Sequence, residues 1–441
     1  MSDHRDSRMN LRLGRRFTRR DVLRMGAGAG ATAALGLGRL SLGEAAKSKP
    51  NIVLCLADDL GWGDVGFHGH PRLKTPELDA MAGECAEFTR FFSAAPVCSP
   101  TRATCLTGRH HHRSGVTNHS EAINPDEPTV ADALGDNGYR TGLFGKWHLH
   151  GSRGMRFRKS DAPFLPDRLG FQEWYATSNN ADKVDPRFYW HNGEPALRPK
   201  GEDSQIIMDR ALVFMREAVR QDKSFFACIW FHTPHTPYGS TDRYLEMYAD
   251  VEDGETRNST RRYYAQVTAM DEQMGRLRRT LREMGVAEDT LLVFTSDNGA
   301  KAPGSNAPLK GRKGHVSEGG TRVPCLIEWP SVVGKARKLD RPTVTTDFYH
   351  TFLAAAGIDA FGPDRRFDGE SFLSALRGEA RRRSEAIRFL HRGQGAAVTP
   401  DGEWTSVKDD PGYAAWRESV ETDLRKSLDR IREIREKAGA G

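Results

Sequence analysis

Five short apolar runs limit what this chain can fold into. They are NIVLCLA (51–57), TGLFGK (141–146), FFACIWF (225–231), TLLVFTS (290–296) and VPCLIEW (323–329). All are rich in β-forming residues and lack the alternation of a half-exposed strand, so they read as strands buried on both faces. Helical signals fill the intervals. TPELDAMAGE opens on Thr75-Pro76, a favourable helix start. RRYYAQVTAMDEQMGRLRRTLREMG places Tyr264, Val267, Met270, Met274 and Leu277 on one stripe and stops at Gly285. Strands alternating with helices predict an α/β fold, a large mainly parallel or mixed sheet covered by helices on both faces.

The 441 residues suffice for one large α/β domain and a smaller partner. From about Asp359 the texture becomes basic and mixed, which predicts a small C-terminal subdomain over 359–441. Pro400-Asp401-Gly402 marks a hairpin turn there. The tail spaces Trp416, Val420, Leu424, Leu428 and Ile431 as an amphipathic helix that packs on its own chain.

The net charge of +6 is mostly an N-terminal effect, because residues 1–46 hold nine Arg against four acids. It therefore gives no argument for nucleic acid binding. Arg19-Arg20, a weakly apolar Ala/Gly/Leu stretch and small residues near Ala45-Ala46 resemble a twin-arginine export signal over 1–46. That signal implies the twin-arginine translocase as a partner and a periplasmic or extracellular destination. Arg39 and the glycines argue against a membrane span. None of the six cysteines forms a C-x-x-C pair; Cys55, Cys228 and Cys325 lie in strand-like runs and read as small buried hydrophobes.

Polar residues follow the strands directly. Asp58-Asp59 end the first, Lys146 and His148 the second, His235 the third, and Asp297-Asn298 the fourth. Ligands of open α/β sheets bind outside the carboxyl ends of the strands, so these residues are placed to converge. A lone Asp-Asp is more often a turn or cap, and Asp-Asn-Gly is an ordinary turn signal. Together the two pairs supply four oxygen-ligand side chains, a shell suited to Ca²⁺ or Mg²⁺. Lys146, His148, His232, His235 and Lys313 would form an anion pocket around such an ion, with His as general acid. His110-His111-His112 reads as a solvated surface run, because adjacent side chains point in different directions.

The stretch VCSPTRATCLTGR (97–109) contains C-x-P-x-R, and this resembles the signature of the sulfatase family. ADDLGWGD, GKWH, PHTP, SDNG and KGHVSEGGTRVP resemble the family's other blocks, in the family's order, over about Pro50 to Gly357. The resemblance implies an alkaline phosphatase-like fold, with a catalytic domain taken as 47–358. It also implies that Cys98 is oxidised to formylglycine by a formylglycine-generating or sulfatase-maturating enzyme, a further partner. One hydroxyl of the hydrated aldehyde would attack sulfur and the alcohol would leave. The second would then deprotonate and expel sulfate, a route closed to Ser or unmodified Cys. Asp58, Asp59, Asp297, Asn298 and modified Cys98 would hold the cation, with the family leaning to calcium over magnesium. Arg102 and Lys146 would hold the hydroxyls, and His148 would take the second proton. His235 and Lys313 would contact the sulfate and the departing oxygen. The substrate would be a sulfated small molecule or carbohydrate. His150 stands where the family often has Gly, and implies an altered pocket shape. Ser152 to Lys200, rich in aromatic and basic residues, either lines the cleft or packs as a loop. Two other readings share the residues: a phosphate or phosphonate ester hydrolase on the same scaffold, and a non-catalytic carbohydrate-binding pseudoenzyme.

Overall fold

Strand Asn51–Asp58 lies in the middle of the sheet, and its alternation of side chains explains the two layers around it. Ile52, Leu54 and Leu56 face one core with Phe226, Cys228, Leu291, Val293 and the helices Cys98–Thr107, Val130–Asp136 and Asp347–Ala356. Val53, Cys55 and Ala57 face another with Ala227, Ile229 and the helices Pro76–Ala82, Asp203–Arg220 and Thr260–Glu283. Burial on both faces is why these strands are written as unbroken apolar runs. The computed structural model describes residues 49–152, 154–252, 259–359, 365–379 and 381–439. The export-signal reading of 1–46 lies outside them.

Among the described residues the main sheet has ten strands, ordered 337–339, 86–88, 325–328, 290–296, 51–58, 225–234, 140–146, 173–177, 190–191 and 194–195. The five from Thr290–Ser296 to Glu173–Thr177 run parallel, while Cys325–Glu328 pairs antiparallel with Thr290–Ser296. The sheet is thus mixed with a parallel centre, as the sequence pattern predicts. The strands joined to Asn51–Asp58 come from later in the chain on both sides, a topological switch point with its crevice at the carboxyl ends. Next to it, Gly145 adopts φ +108°, and a Cβ there would lie 2.0 Å from the Trp230 carbonyl oxygen. Only glycine lets the chain pass that close before Lys146.

The C-terminal stretch forms an antiparallel sheet of Ile387–His391, Gln394–Val398 and Trp404–Thr405, then the helix Tyr413–Gly439. Trp416, Val420 and Ile431 are buried as the periodicity predicts. Leu428 departs from the predicted stripe and is 41% exposed. Its neighbour Ser427 turns inward instead and donates to the Arg113 carbonyl at 2.7 Å.

The histidine run corrects the sequence reading. His110, His111 and His112 are buried, because a short 3₁₀ turn over 111–114 is covered by the C-terminal helix and sheet. His110 meets Trp416 edge-on, and His111 lies near His391. All six cysteines are free and buried. No helix among the described residues is long and apolar enough to cross a membrane.

The buried imidazoles make stability depend on pH. Burial, and then the His391 charge, lower His112 to about 4; burial, and then Arg392, lower His391 to about 4. An unfolded chain takes up these protons near 6.5, so the contribution is intact above that pH and is lost as pH falls toward the folded value. We predict a loss on the order of 2 kcal/mol per ring by about pH 5. Chemical unfolding across that range should show it, and His112→Gln should flatten the slope. An equal slope in the variant would refute the assignment.

Candidate active site

The carboxyl ends of the central strands bring most of the predicted site residues into one buried cluster. Asp58 is the last residue of its strand, where the register with strand Phe225–Pro234 shifts. Asp59 follows with φ +71°, a left-handed turn that redirects the chain. Its amide donates to Asp297 Oδ1 at 3.1 Å. Asn298 Nδ2 donates to Asp59 Oδ1 at 2.7 Å, so the two acidic loops are joined. Gly299 is obligatory here: a Cβ would lie 1.9 Å from the Gly319 carbonyl oxygen. That close approach presses the loop carrying Lys313 onto the Asp297 loop.

Three cations answer the three carboxylates. Lys146 Nζ donates to Asp58 Oδ2 at 2.6 Å, Arg102 Nη2 to Asp297 Oδ2 at 2.8 Å, and Lys313 Nζ to Asp59 Oδ1 at 2.5 Å. Arg102 also donates to the Lys146 carbonyl at 3.1 Å and lies over the Trp230 ring. Burial opposes ionisation of Asp58, but Lys146, His235, Arg102 and Lys313 outweigh it and hold the carboxyl well below its usual range. Burial and the Asp58 charge push Asp297 up to about 7, against the pull of Arg102. Two neighbouring carboxylates thus divide their ionisation, as like charges in a dry site must.

Cys98 is the first residue of helix Cys98–Thr107 and is 2% exposed. Its Sγ donates to Asp58 Oδ1 at 3.3 Å and lies 3.9 Å from Asp59 Oδ1; Lys313 Nζ donates to it at 3.4 Å. Burial, then Asp297 and Asp58, push the thiol up, so it stays protonated. His235 donates from Nδ1 to the Thr236 carbonyl at 2.7 Å. That leaves Nε2 toward the cluster, 3.7 Å from Asp59 Oδ2, and burial lowers the ring to about 4. His148 is buried with φ +60°; burial, then Lys146 and Arg102, hold it neutral.

A divalent cation fits this set. Ligand atoms of Asp58, Asp59, Cys98 and His235 lie within 4.8 Å of one another. Asp59 Oδ2 and Asn298 Oδ1 are buried with no hydrogen-bond partner, two hard oxygens that a cation would satisfy. Asp297 joins through the Asp59 amide and Arg102.

Not every expected residue arrives. His232 lies behind the cluster, between Asp203 Oδ2 (2.8 Å) and Thr177 Oγ1 (2.7 Å). His150 is buried against Phe157. The aromatics of 152–200 pack inward, with Tyr175 stacked on Tyr189 and Phe157 against Trp174 and Trp190. Asn180 of that segment does reach the site, donating to His235 Nε2 at 3.3 Å. Ser120, whose hydroxyl lies 3.0 Å from His148 Nε2, was also invisible in the sequence. Asn180 follows a strand, a usable signal; Ser120 has none.

Comparison with known proteins adds to this geometry. The family model described as Sulfatase matches residues 50–358. The chain is 31% identical over 325 residues to an ulvan-active sulfatase of Formosa agariphila, covering 70% of this chain and 62% of that protein. It is 32% identical over 376 residues to the N-acetylgalactosamine-6-sulfatase of Rattus norvegicus, covering 77% and 68%. It thus spans about two thirds of the length of these relatives. The crystal structure of Ps i-CgsB in complex with k-i-k-neocarrahexaose superposes with a TM-score of 0.72 at 26% identity, over 87% of this chain and 93% of that one.

The ion pairs predict a stability effect independent of turnover. In chelator-treated protein, Lys146→Met strands Asp58 in the interior and should cost about 3 kcal/mol or more. Adding Asp58→Asn should recover most of it. Denaturant midpoints of the two variants test this; an unchanged midpoint in Lys146→Met would contradict the pairing.

Proposed function

The chain belongs to the sulfatase family, and from that premise we propose that it hydrolyses sulfate esters, with a formylglycine made from Cys98 as the nucleophile. The observation that carries this reading is the position of Cys98: Sγ lies 3.3 Å from Asp58 Oδ1 and 3.4 Å from Lys313 Nζ, among carboxylates and cations, at a helix start. The thiol itself is no nucleophile as it stands, because burial and the Asp297 and Asp58 charges keep it protonated. A hydrated aldehyde at this position needs ionisation of a hydroxyl, for which the surrounding positive charge is suited.

Asp58, Asp59, Asp297, Asn298 and residue 98 would hold Ca²⁺, with Mg²⁺ the alternative. When bound, the cation supplies positive charge that makes the nucleophilic hydroxyl easier to ionise. The chain's own residues do the rest. Arg102 and Lys146 fix the carboxylates and hold the hydroxyls of residue 98. Lys313 faces both Cys98 Sγ and Asp59, a position suited to an anionic sulfate. His235 turns Nε2 toward the cluster, and once that nitrogen is protonated it would give the proton to the departing oxygen; this matters most for sugar and alkyl esters, whose alkoxides leave poorly. His148 takes the proton that accompanies sulfate release.

The substrate class favoured is a sulfated carbohydrate, supported by likeness to an ulvan-active sulfatase and to a structure bound to neocarrahexaose. We assign the chemistry to 47–358, a bracing role to 359–441, and export to the twin-arginine pair in 1–46. Transport of the folded protein would let the maturation enzyme act on Cys98 before export.

Mass spectrometry of the peptide containing residue 98 should show the thiol replaced by an aldehyde. Cys98→Ala should lower kcat/KM on a nitrophenyl sulfate by about 10⁴-fold or more. Chelation should abolish turnover and calcium should restore it. Faster turnover of a nitrophenyl phosphate than of the sulfate would overturn the reading in favour of phosphorus esters, and a wild type inactive on both would favour a pseudoenzyme.

A further inference from the structure

The structure assigns Ser120 as the positioning residue of His148: its hydroxyl accepts from Nε2–H and leaves Nδ1 as the nitrogen that exchanges the proton at residue 98. This rests on the sulfatase reading above. Ser120 Oγ lies 3.0 Å from His148 Nε2, and the two residues are 8% and 3% exposed. The Ser120 amide donates to Ser99 Oγ at 3.0 Å, one residue from the nucleophile position. One short segment therefore touches both the base and the neighbour of the group it serves.

Neither residue sits there at its ease. Both have φ +60° without being glycine, a conformation that is disfavoured for residues with a Cβ and persists where surrounding structure imposes it. The imposition is visible. The Ile123 amide donates to the Leu149 carbonyl at 3.0 Å, Ala122 bridges His150, and the His148 amide donates to the Ser178 carbonyl at 3.1 Å. Both backbones are fixed, so the hydroxyl and the ring have little choice but to meet.

The direction of that bond decides the chemistry. Which nitrogen of a neutral imidazole carries the proton is set by the partner of the other. His148 Nδ1 is buried and has no hydrogen-bond partner. The charges that act most on the ring are Lys146 and Arg102, opposed by Asp58. On the proposed reading Nδ1 is the nitrogen offered to residue 98, and a lone pair is the better group there in the field of two fixed cations, so the proton belongs on Nε2, donated to Ser120. During sulfate release, the remaining hydroxyl of residue 98 gives its proton to Nδ1. The O–H electron pair forms the carbonyl, the carbon–oxygen bond to sulfate breaks, and that pair leaves with sulfate. Water then rehydrates the aldehyde. Throughout, Ser120 Oγ accepts from Nε2–H and steadies the imidazolium, the part an orienting acceptor plays behind a catalytic His.

Two variants separate the hydroxyl from the backbone. Ser120→Gly removes the hydroxyl and relieves the left-handed φ, so the loop is not weakened. Ser120→Asn tolerates that φ and returns a side-chain oxygen. The first measurement needs neither aldehyde nor metal: ¹⁵N NMR of histidine-labelled, chelated protein with Cys98 unmodified, the His148 signals assigned by their loss in His148→Gln. The expected wild-type spectrum is the Nε2–H tautomer, with Ser120→Gly moving toward a mixture; an Nδ1–H wild type, or no change in the variant, overturns the proposal. The second uses the matured enzyme with a nitrophenyl sulfate in rapid quench. Ser120→Gly should keep fast nitrophenol release for one turnover and slow the following steady state by about 10- to 100-fold. Sulfated residue 98 should accumulate, and Ser120→Asn should recover part of the rate. Equal slowing of both phases, or none, overturns it. A matured sample lacking the aldehyde would defeat the sulfatase reading instead, and the NMR result would still judge the Ser120–His148 pair.

Discussion

Three carboxylates buried within reach of one another are the constraint on which the structure depends. Each would cost several kcal/mol to bury alone, and together they repel. Arg102, Lys146 and Lys313 make the arrangement tolerable, and none comes from the segments that supply the acids. Arg102 reaches in from the helix that Cys98 begins, Lys146 from a strand end one strand removed from Asn51–Asp58, and Lys313 from a glycine-rich loop held by the Gly299–Gly319 approach. The fold at this edge of the sheet is therefore an electrostatic assembly as much as a hydrophobic one. With all three carboxylates ionised, they and the three cations sum to zero. On the proposed reading a divalent ion then matches one ionised hydroxyl and one singly charged sulfate ester. On that reading the site would pass through its central state near neutrality, which low-dielectric surroundings reward.

The same edge of the sheet also holds strained backbone. Asp59, Ser120 and His148 all hold positive φ without being glycine. Each turns a chain abruptly just where a polar side chain must face the cluster. Asp59 does so immediately after a strand; His148 does so two residues after one, behind the Gly145 crossing. The cost is met by apolar packing on both faces of the sheet, away from the chemistry. Such a distribution is expected where preorganised charge, rather than motion, does the catalytic work.

The sequence made the sheet legible because a parallel centre needs strands that are apolar on both faces, and four of the five apolar runs lie in it, the fifth pairing antiparallel at its flank. It made the acids and Lys146 legible for a related reason: parallel strands put their carboxyl ends on one edge, so a polar residue after each run is positioned by topology alone. What depended on tertiary cover was not legible. His110–His112 read as solvated because nothing local shows the helix Tyr413–Gly439 lying over them. Leu428 followed the period of that helix, yet the buried place went to Ser427, whose hydroxyl had a carbonyl to satisfy. Ser120 and His148 are 28 residues apart, in a loop and at a strand end, and no spacing rule joins them. The side chains that partner a buried imidazole are fixed by loop packing, which leaves no periodic trace.

The C-terminal stretch, which lies beyond the residues matched by the family model, gains a physical role from these contacts. Helix Cys98–Thr107 ends at Gly108 and runs directly into the buried histidine turn. Arg113 in that turn bridges Asp368 and Asp423, and Arg109 bridges Glu127 and Asp423. Asp423 belongs to the C-terminal helix, so the helix that starts at Cys98 is anchored at its far end by that later helix. On the opposite side, the Val316 amide donates to Gln394 Oε1 at 2.9 Å, which ties the loop of Lys313 to the C-terminal sheet. Two of the groups facing Cys98 Sγ, its own helix and Lys313, are thus braced from 359–441. A short C-terminal region can do this without contributing a reacting atom, because what the cluster demands of its surroundings is fixed distance between like and unlike charges.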